Sequence, residues 1–359
     1  MNQNLKETIL INEHKKLNAR LVNFAGFNMP VQYSSVKEEC EAVRKKAGVF
    51  DVSHMGEFWV KGPDAARFVD YLVTNDFLNL PESKAMYSPL CNHEGKILDD
   101  LIAYKFSNQE ALICVNASNI QKDWNWMVQF QKNFNILFEN QSETTSLLAL
   151  QGPQSESILE NYLKTDLSTM DYYSVRRVTY EGREYILART GYTGEDGFEI
   201  FCANNDVTSL WNALLAAGVV ACGLAARDVL RLEVCYPLYG NDLSEELTPL
   251  ETGLRWTVKL DKPDFIGKNA LSSFVPSKKL IKYTIDKGIP RQGYEILDNE
   301  GKVVGSTTSG THSVALGKGI GMGLISSSVS NKEPLFLNVR NQKLPILIQT
   351  KPFVIGGHK

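Results

Sequence analysis

Long apolar runs are missing from this 359-residue chain: nowhere do apolar residues continue for the about 18 positions of a membrane helix, so no span is expected. Met1 to Lys16 lacks an apolar centre and carries Glu7 and Glu13, which argues against a secretory signal and a mitochondrial presequence alike. An excess of positive charge is missing too. With 38 basic and 41 acidic residues the net charge is −3, and no basic block could track a nucleic-acid backbone. Cys40, Cys91, Cys114, Cys202, Cys222 and Cys235 include no C-x-x-C pair, and His14, His54, His93, His312 and His358 form no H-x-x-x-H pair. Neither a zinc nor an iron–sulfur site is therefore expected. The cysteines read as small buried residues of a reducing compartment. No metal, nucleic acid or membrane is expected to engage this chain, and its expected place is the bacterial cytoplasm.

What is present is enough hydrophobic residue, 43% over this length, for two or three cored domains. The spacing predicts a helix over Val36–Ala47, with Ser35 and Glu38 as a capping box and Gly48 as its stop. Further helices are predicted from Pro63 to Leu72, Asn119 to Lys132, after Pro153, over Val207–Ala217 and over Ala225–Val234. His93-Glu94-Gly95-Lys96, Tyr180-Glu181-Gly182-Arg183 and Asn299-Glu300-Gly301-Lys302 each read as a hairpin turn between strand-like residues. Antiparallel pairing mixed with helices implies an α+β fold rather than a doubly wound parallel sheet. A boundary falls near Ser272–Lys282; beyond it, short strands and glycine turns predict a small all-β domain.

Several clusters could carry chemistry. In Ile97-Leu98-Asp99-Asp100-Leu101-Ile102-Ala103-Tyr104, strand alternation sends the two aspartates to opposite, otherwise apolar faces. A carboxylate buried there must be paired, hydrogen-bonded or protonated; the alternative is a solvated pair at a strand end. Between Arg189 and Glu199, Gly191, Gly194 and Gly197 mark tight turns or the close approach of a ligand, without the spacing of a phosphate loop. Glu199 could accept paired N–H donors from a heterocycle such as a pterin, or could point outward from a hairpin. Arg227 opens a helix, where the helix dipole disfavours a cation. Its partner is either a carboxylate-bearing ligand or a structural acid, Asp228 or Glu233. Tyr87, Tyr172, Tyr173, Tyr192, Tyr236 and Tyr239 suit a pocket for a flat ligand, as they also suit a core. Gly317–Gly323 is not a dinucleotide fingerprint and reads as close strand packing. His54 has no nucleophile elbow to serve.

In chain order, the stretches Phe24–Tyr33, Gly48–Glu57, Ile97–Leu101, Arg189–Glu199 and Gly223–Glu233 with Pro237–Gly240 together resemble the T-protein family of the glycine cleavage system, over about Leu17 to Phe353. The resemblance implies a three-domain cloverleaf ring with mixed and antiparallel sheets: residues 1–272 as two interleaved α+β domains that bind folate, and 280–355 as a C-terminal barrel-like β domain. It implies an aminomethyltransferase that uses tetrahydrofolate as co-substrate and a lipoylated carrier protein as partner. By the same resemblance Asp100 is the catalytic acid, Glu199 holds the pterin and Arg227 lies near the folate tail. Met55, Tyr87, Tyr104, Asn116, Tyr172, Tyr192 and Tyr236 fall on pocket positions. A tyrosine found near the C-terminus of some members has no counterpart in Lys351-Pro352-Phe353-Val354-Ile355-Gly356-Gly357-His358-Lys359. A related demethylase would lack the carrier. A folate-binding protein of iron–sulfur maintenance would show K-G-C-Y-x-G-Q where this chain reads Glu233-Val234-Cys235-Tyr236-Pro237-Leu238-Tyr239.

Overall fold

The computed structural model describes residues 5–330 and 333–357, so His358 and Lys359 of the expected tail lie outside it. Two sheets and a barrel carry the architecture. The first sheet orders its strands as Lys84–Cys91, Ile97–Ser107, Glu110–Val115, Gly56–Lys61 and Leu137–Asn140, all antiparallel. The second orders Val175–Tyr180, Arg183–Ala188, Gly197–Ala203, Thr145–Gln151, Gly48–Asp51 and the short Val220–Ala221, whose pairing with Gly48–Asp51 is parallel. Chain segments alternate between these sheets, since Gly48–Asp51 belongs to one and Gly56–Lys61 to the other. The strands from Lys278 to Gln349 close into a six-stranded barrel, because Lys278–Ile285 pairs with both Lys318–Ser326 and Gln342–Gln349. The fold is α+β with a terminal barrel.

Each sheet buries its outer face under helices. Helix Asn204–Ala216 puts Val207, Leu210, Trp211 and Leu214 on one stripe, at the spacing of a helix face, and packs it with Leu148, Leu150 and Ile200 of the second sheet. Helices Ala65–Leu72 and Ile120–Met127 cover the first sheet, with Phe68, Val69, Leu72 and Met127 fully buried. The inner faces meet each other through Phe50, Trp59, Tyr104, Leu112, Ile186 and Phe201. The functional cavity lies at one end of that shared layer.

The predicted turns all join paired strands, at His93–Lys96, Tyr180–Arg183 and Asn299–Lys302. Gly319, Gly321 and Gly323 do serve strand packing: a Cβ on Gly321 would stand 2.6 Å from the Tyr283 ring. The helix predicted to reach Ala47 ends earlier, at Lys45. Ser35 Oγ accepts the Glu38 N–H at 3.2 Å as expected. Gly48 is not the helix stop; it opens a strand at a place where a Cβ would lie 2.6 Å from Val43 and 2.7 Å from Cys222. Helix Ile120–Met127 is likewise shorter than predicted, its tail giving way to a 3-10 turn at Gln131–Asn133.

Candidate active site

A cavity of ≈ 410 Å³ opens where the two sheets and the barrel meet. The first sheet supplies Tyr87, Asp100 and Tyr104; the second supplies Glu199; the barrel supplies Leu280, Lys282 and Met322. Met55, Asn116, Tyr192, Arg227 and Tyr236 complete the set of expected residues on its wall. Tyr172 stands one step behind: its hydroxyl is 3.4 Å from that of Tyr236, and its ring packs edge-on against Tyr173, which does line the cavity.

Strand alternation placed the aspartates as expected. Asp99 is fully buried and accepts from the Asn116 N–H (3.0 Å), Asn116 Nδ2 (2.9 Å) and Asn119 Nδ2 (2.6 Å). Asp100 faces the cavity, half-buried, and accepts from Tyr87 Oη (3.0 Å) and Asn116 Nδ2 (2.9 Å). Burial, and then the charge of Asp99 beside it, pushes the Asp100 carboxyl up to about 7 despite those two donors. Such a group exchanges a proton readily near neutral pH.

Glu199 sits between Ala188 and Ala149 on neighbouring strands, whose small side chains leave room before it. Its Oε2 accepts from Tyr104 Oη (3.0 Å) and Thr190 Oγ1 (2.5 Å), while Oε1 accepts no hydrogen bond from the described residues. One oxygen is thus fixed and the other is available to the cavity. The glycines before it make room for side chains, Gly194 for Val234 and Gly191 and Gly197 for Gln151. The loop wraps Gln151, which takes Thr193 Oγ1 on its oxygen (2.8 Å) and gives its amide to the Thr190 carbonyl (3.0 Å). A Cβ on Gly191 would overlap Gln151 at 1.9 Å. Arg189 anchors the loop through Asp196 and Glu156.

Arg227 lies in helix Leu224–Glu233. The acids suggested as its structural partners are engaged elsewhere: Asp228 pairs with Arg231 at 2.7 Å, and Glu233 with Arg44 at 2.7 Å. Among the described residues the Arg227 guanidinium makes no hydrogen bond or ion pair. Its guanidinium lies 4.6 Å over the Tyr192 ring, which in turn stacks on Tyr236. The helix itself is firmly placed. Glu39 accepts the Gly223 N–H at 2.8 Å, and Gly223 lies so close to Val31 that a Cβ would meet its carbonyl carbon at 2.4 Å. At the far end Glu233 also accepts from Ser313 and the Ala315 N–H of the barrel. Arg231 reaches Asp242 (2.8 Å) and Ser309 (2.8 Å).

Tyr173 and Tyr239, two of the tyrosines suited to such a pocket, also line the wall, and so do residues that the sequence does not single out: Trp256, which stacks on Tyr87 at 6.2 Å with its indole half exposed, Cys114 and Leu254. Trp256 sits in a three-residue turn of a long connection, where no periodicity marks it. Among the described residues no group of three or more His, Cys, Asp or Glu side chains could hold a metal ion, and no helix is long and apolar enough to cross a membrane. The tail passes beside the site: the Val354 N–H reaches the Glu233 carbonyl, and the Gly357 N–H that of Gly194.

An α+β body closed by a barrel, with two carboxylates and an unpaired guanidinium around one aromatic cavity, defines an enzyme built to orient a flat, anion-bearing molecule. The family model for the GCVT N-terminal domain matches residues 10–262, and that for the glycine cleavage T-protein C-terminal barrel domain matches 278–354. Aminomethyltransferases of Thermosipho melanesiensis (45% identical, covering 99% of both chains) and Thermotoga maritima (47%, covering 98% of this chain and 99% of the relative) align throughout. The crystal structure of the glycine cleavage system aminomethyltransferase T from Bartonella henselae superposes with a TM-score of 0.93 at 32% identity, covering 99% of each chain. This chain belongs to the glycine cleavage T-protein family, the aminomethyltransferases.

Proposed function

We propose that the cavity brings tetrahydrofolate and the lipoyl arm of a carrier protein together for aminomethyl transfer. The carbon–sulfur bond of the S-aminomethyl group breaks and leaves a dihydrolipoyl thiol. The carbon becomes the methylene bridge between two folate nitrogens, and the amino nitrogen departs as ammonia. The observation that carries this reading is the convergence of Asp100, Glu199 and Arg227, from two sheets and a helix, on one cavity. Glu199 Oε1 holds the N–H edge of the pterin, its orientation set by Tyr104 and Thr190. Arg227 draws the anionic tail, stiffened by Tyr192 beneath it. Asp100, fixed by Tyr87 and Asn116, positions the reacting nitrogens and takes or returns a proton there. Met55 and Tyr236 supply further wall, with Tyr172 bracing Tyr236. The folate supplies the nucleophilic nitrogens.

The division into a folate-binding region, 1–272, and a barrel, 280–355, fits this arrangement, as the barrel strands run from Lys278 to Gln349. A cytoplasmic, bacterial setting fits the unpaired thiols of all six cysteines. The test is Asp100→Asn, assayed for ammonia release with tetrahydrofolate and an aminomethylated lipoyl carrier. Turnover falls by about 10²–10⁴, the usual share of a positioned acid–base group, while the fold is retained. Near-normal turnover would refute the assignment.

A further inference from the structure

Behind the cavity stands an acid that the reaction does not touch. Asp123, on helix Ile120–Met127, is fully buried, and no N–H or O–H of the described residues reaches either of its oxygens. The group it faces is the Asp99 carboxylate. Two carboxyl groups in contact inside a protein do not both stay ionised; one holds a proton and donates it to the other. The donors already present decide which. Asp99 accepts three N–H bonds, from Asn116 twice and from Asn119, whereas Asp123 accepts none. The negative charge therefore rests on Asp99 and the proton on Asp123.

We propose that Asp123 is a positioning residue, a neutral carboxylic acid whose O–H donates to Asp99 and keeps Asp99 as the charged acceptor that orients Asn116 against Asp100. The proposal rests on the reading of Asp100 as the reacting acid. Asn116 is the link: the same Nδ2 reaches Asp99 Oδ1 (2.9 Å), the Asp100 carbonyl (3.0 Å) and Asp100 Oδ1 (2.9 Å). Burial, and then the charge of Asp99, hold the Asp123 carboxyl up at about 11. Burial raises Asp99 as well, but its hydrogen-bond donors oppose that. The charge kept on Asp99 is what lifts Asp100 beyond the effect of burial. The other groups near the pair leave this balance in place. Lys122 turns its ammonium outward to the Leu98 carbonyl, Tyr239 Oη and Glu245. Cys114 and Tyr239 lie within the field of Asp99, and burial keeps both neutral. Tyr87 donates to Asp100 and Tyr192 lies within its field, and burial keeps both neutral as well.

The test titrates the whole enzyme, labelled with ¹³C at its aspartate carboxyls, by NMR from acid to alkaline pH, beside the pH profile of kcat. Asp→Asn variants assign the resonances. Asp123→Leu removes the donor, so Asp99 takes up the proton itself and its charge on Asp100 is lost. The Asp100 midpoint then falls by about one unit or more, and the acid limb of kcat moves with it. Asp123→Asn supplies an amide N–H in place of the acid O–H and returns the midpoint to the wild-type position. The proposal is overturned if Asp123→Leu leaves the Asp100 midpoint where it was. It is overturned equally if Asp123→Asn shifts that midpoint as far as leucine does, since the loss of a charge on Asp123, and not of a donated hydrogen bond, would then be what moves Asp100. Failure of the underlying reading looks different: Asp100→Asn would stay active, whatever the titrations of Asp99 and Asp123.

Discussion

His54 makes the enzyme sensitive to acid in a way that can be calculated. Both ring nitrogens are buried and without a hydrogen-bond partner among the described residues. Phe24 meets the ring edge-on at 5.5 Å, and Phe27 lies at 6.2 Å. Burial, reinforced by the positive charge of Arg227, lowers its pKa from 6.5 to about 4. A histidine depressed on folding binds fewer protons in the native state than in the unfolded chain between these values. Stability is therefore unaffected above pH 6.5, falls as the pH drops through the window, and levels off below about 4. The full effect is about 3 kcal/mol from 1.36 kcal/mol per unit, of which about 2 kcal/mol has been lost at pH 5. His54→Phe retains a ring among the phenylalanines and abolishes this proton uptake. Urea unfolding of both proteins at pH 8, 6.5 and 5 measures it: the wild-type protein should lose about 2 kcal/mol more than the variant between pH 8 and 5. Parallel losses in the two proteins would refute the reasoning, because they would mean that His54 finds a partner or water when charged.

Two further outcomes follow from the site. Glu199→Gln places an amide N–H where the pterin edge needs an acceptor; steady-state kinetics should show KM for tetrahydrofolate raised about 10- to 100-fold, more than kcat falls, from the loss of a charge-assisted bond. Arg231→Leu leaves Asp242 buried and unpaired, since the pair they form is almost wholly enclosed; urea denaturation should register a loss of about 3–5 kcal/mol, and a loss below about 1 kcal/mol would mean that the serine and threonine donors suffice alone.

Local chemistry was readable along the chain, and long-range pairing was not. The Ser35 cap, the glycine turns and the opposite faces of Asp99 and Asp100 depend on neighbours a few residues apart, and all appear in the structure. Gly48 reads from sequence as a helix stop, but the space of its Cβ is filled by Val43 and by the sulfur of Cys222, the latter far along the chain. The glycines of 191–197 read as tight turns or as room for a ligand; Gly194 does turn the chain at positive φ, against Val234, while Gly191 and Gly197 leave room for Gln151, which comes from a different strand. Arg227 has acids near it in sequence, yet Arg44 and Arg231 claim them first. Asp123 reads as one more polar residue on a short helix until the fold sets it against Asp99. Convergence of the site on one cavity was legible only through the family resemblance, because no local pattern encodes the meeting of two sheets and a barrel.

The helix bearing Arg227 is riveted at both ends, by Glu39 at Gly223 and by the Arg44–Glu233–Ser313 and Arg231–Asp242–Ser309 joints toward the barrel. Prising the barrel away by a few ångströms would break together the hydrogen bonds that Ser309, Ser313 and the Ala315 N–H make to Arg231, Asp242 and Glu233, each a bond to a charged group and worth about 1.5–3 kcal/mol. The entrance is therefore a fixed aperture rather than a hinged jaw. A visitor too large to pass must send its cargo inside on a slender tether, which is the shape a lipoyl-lysine arm has.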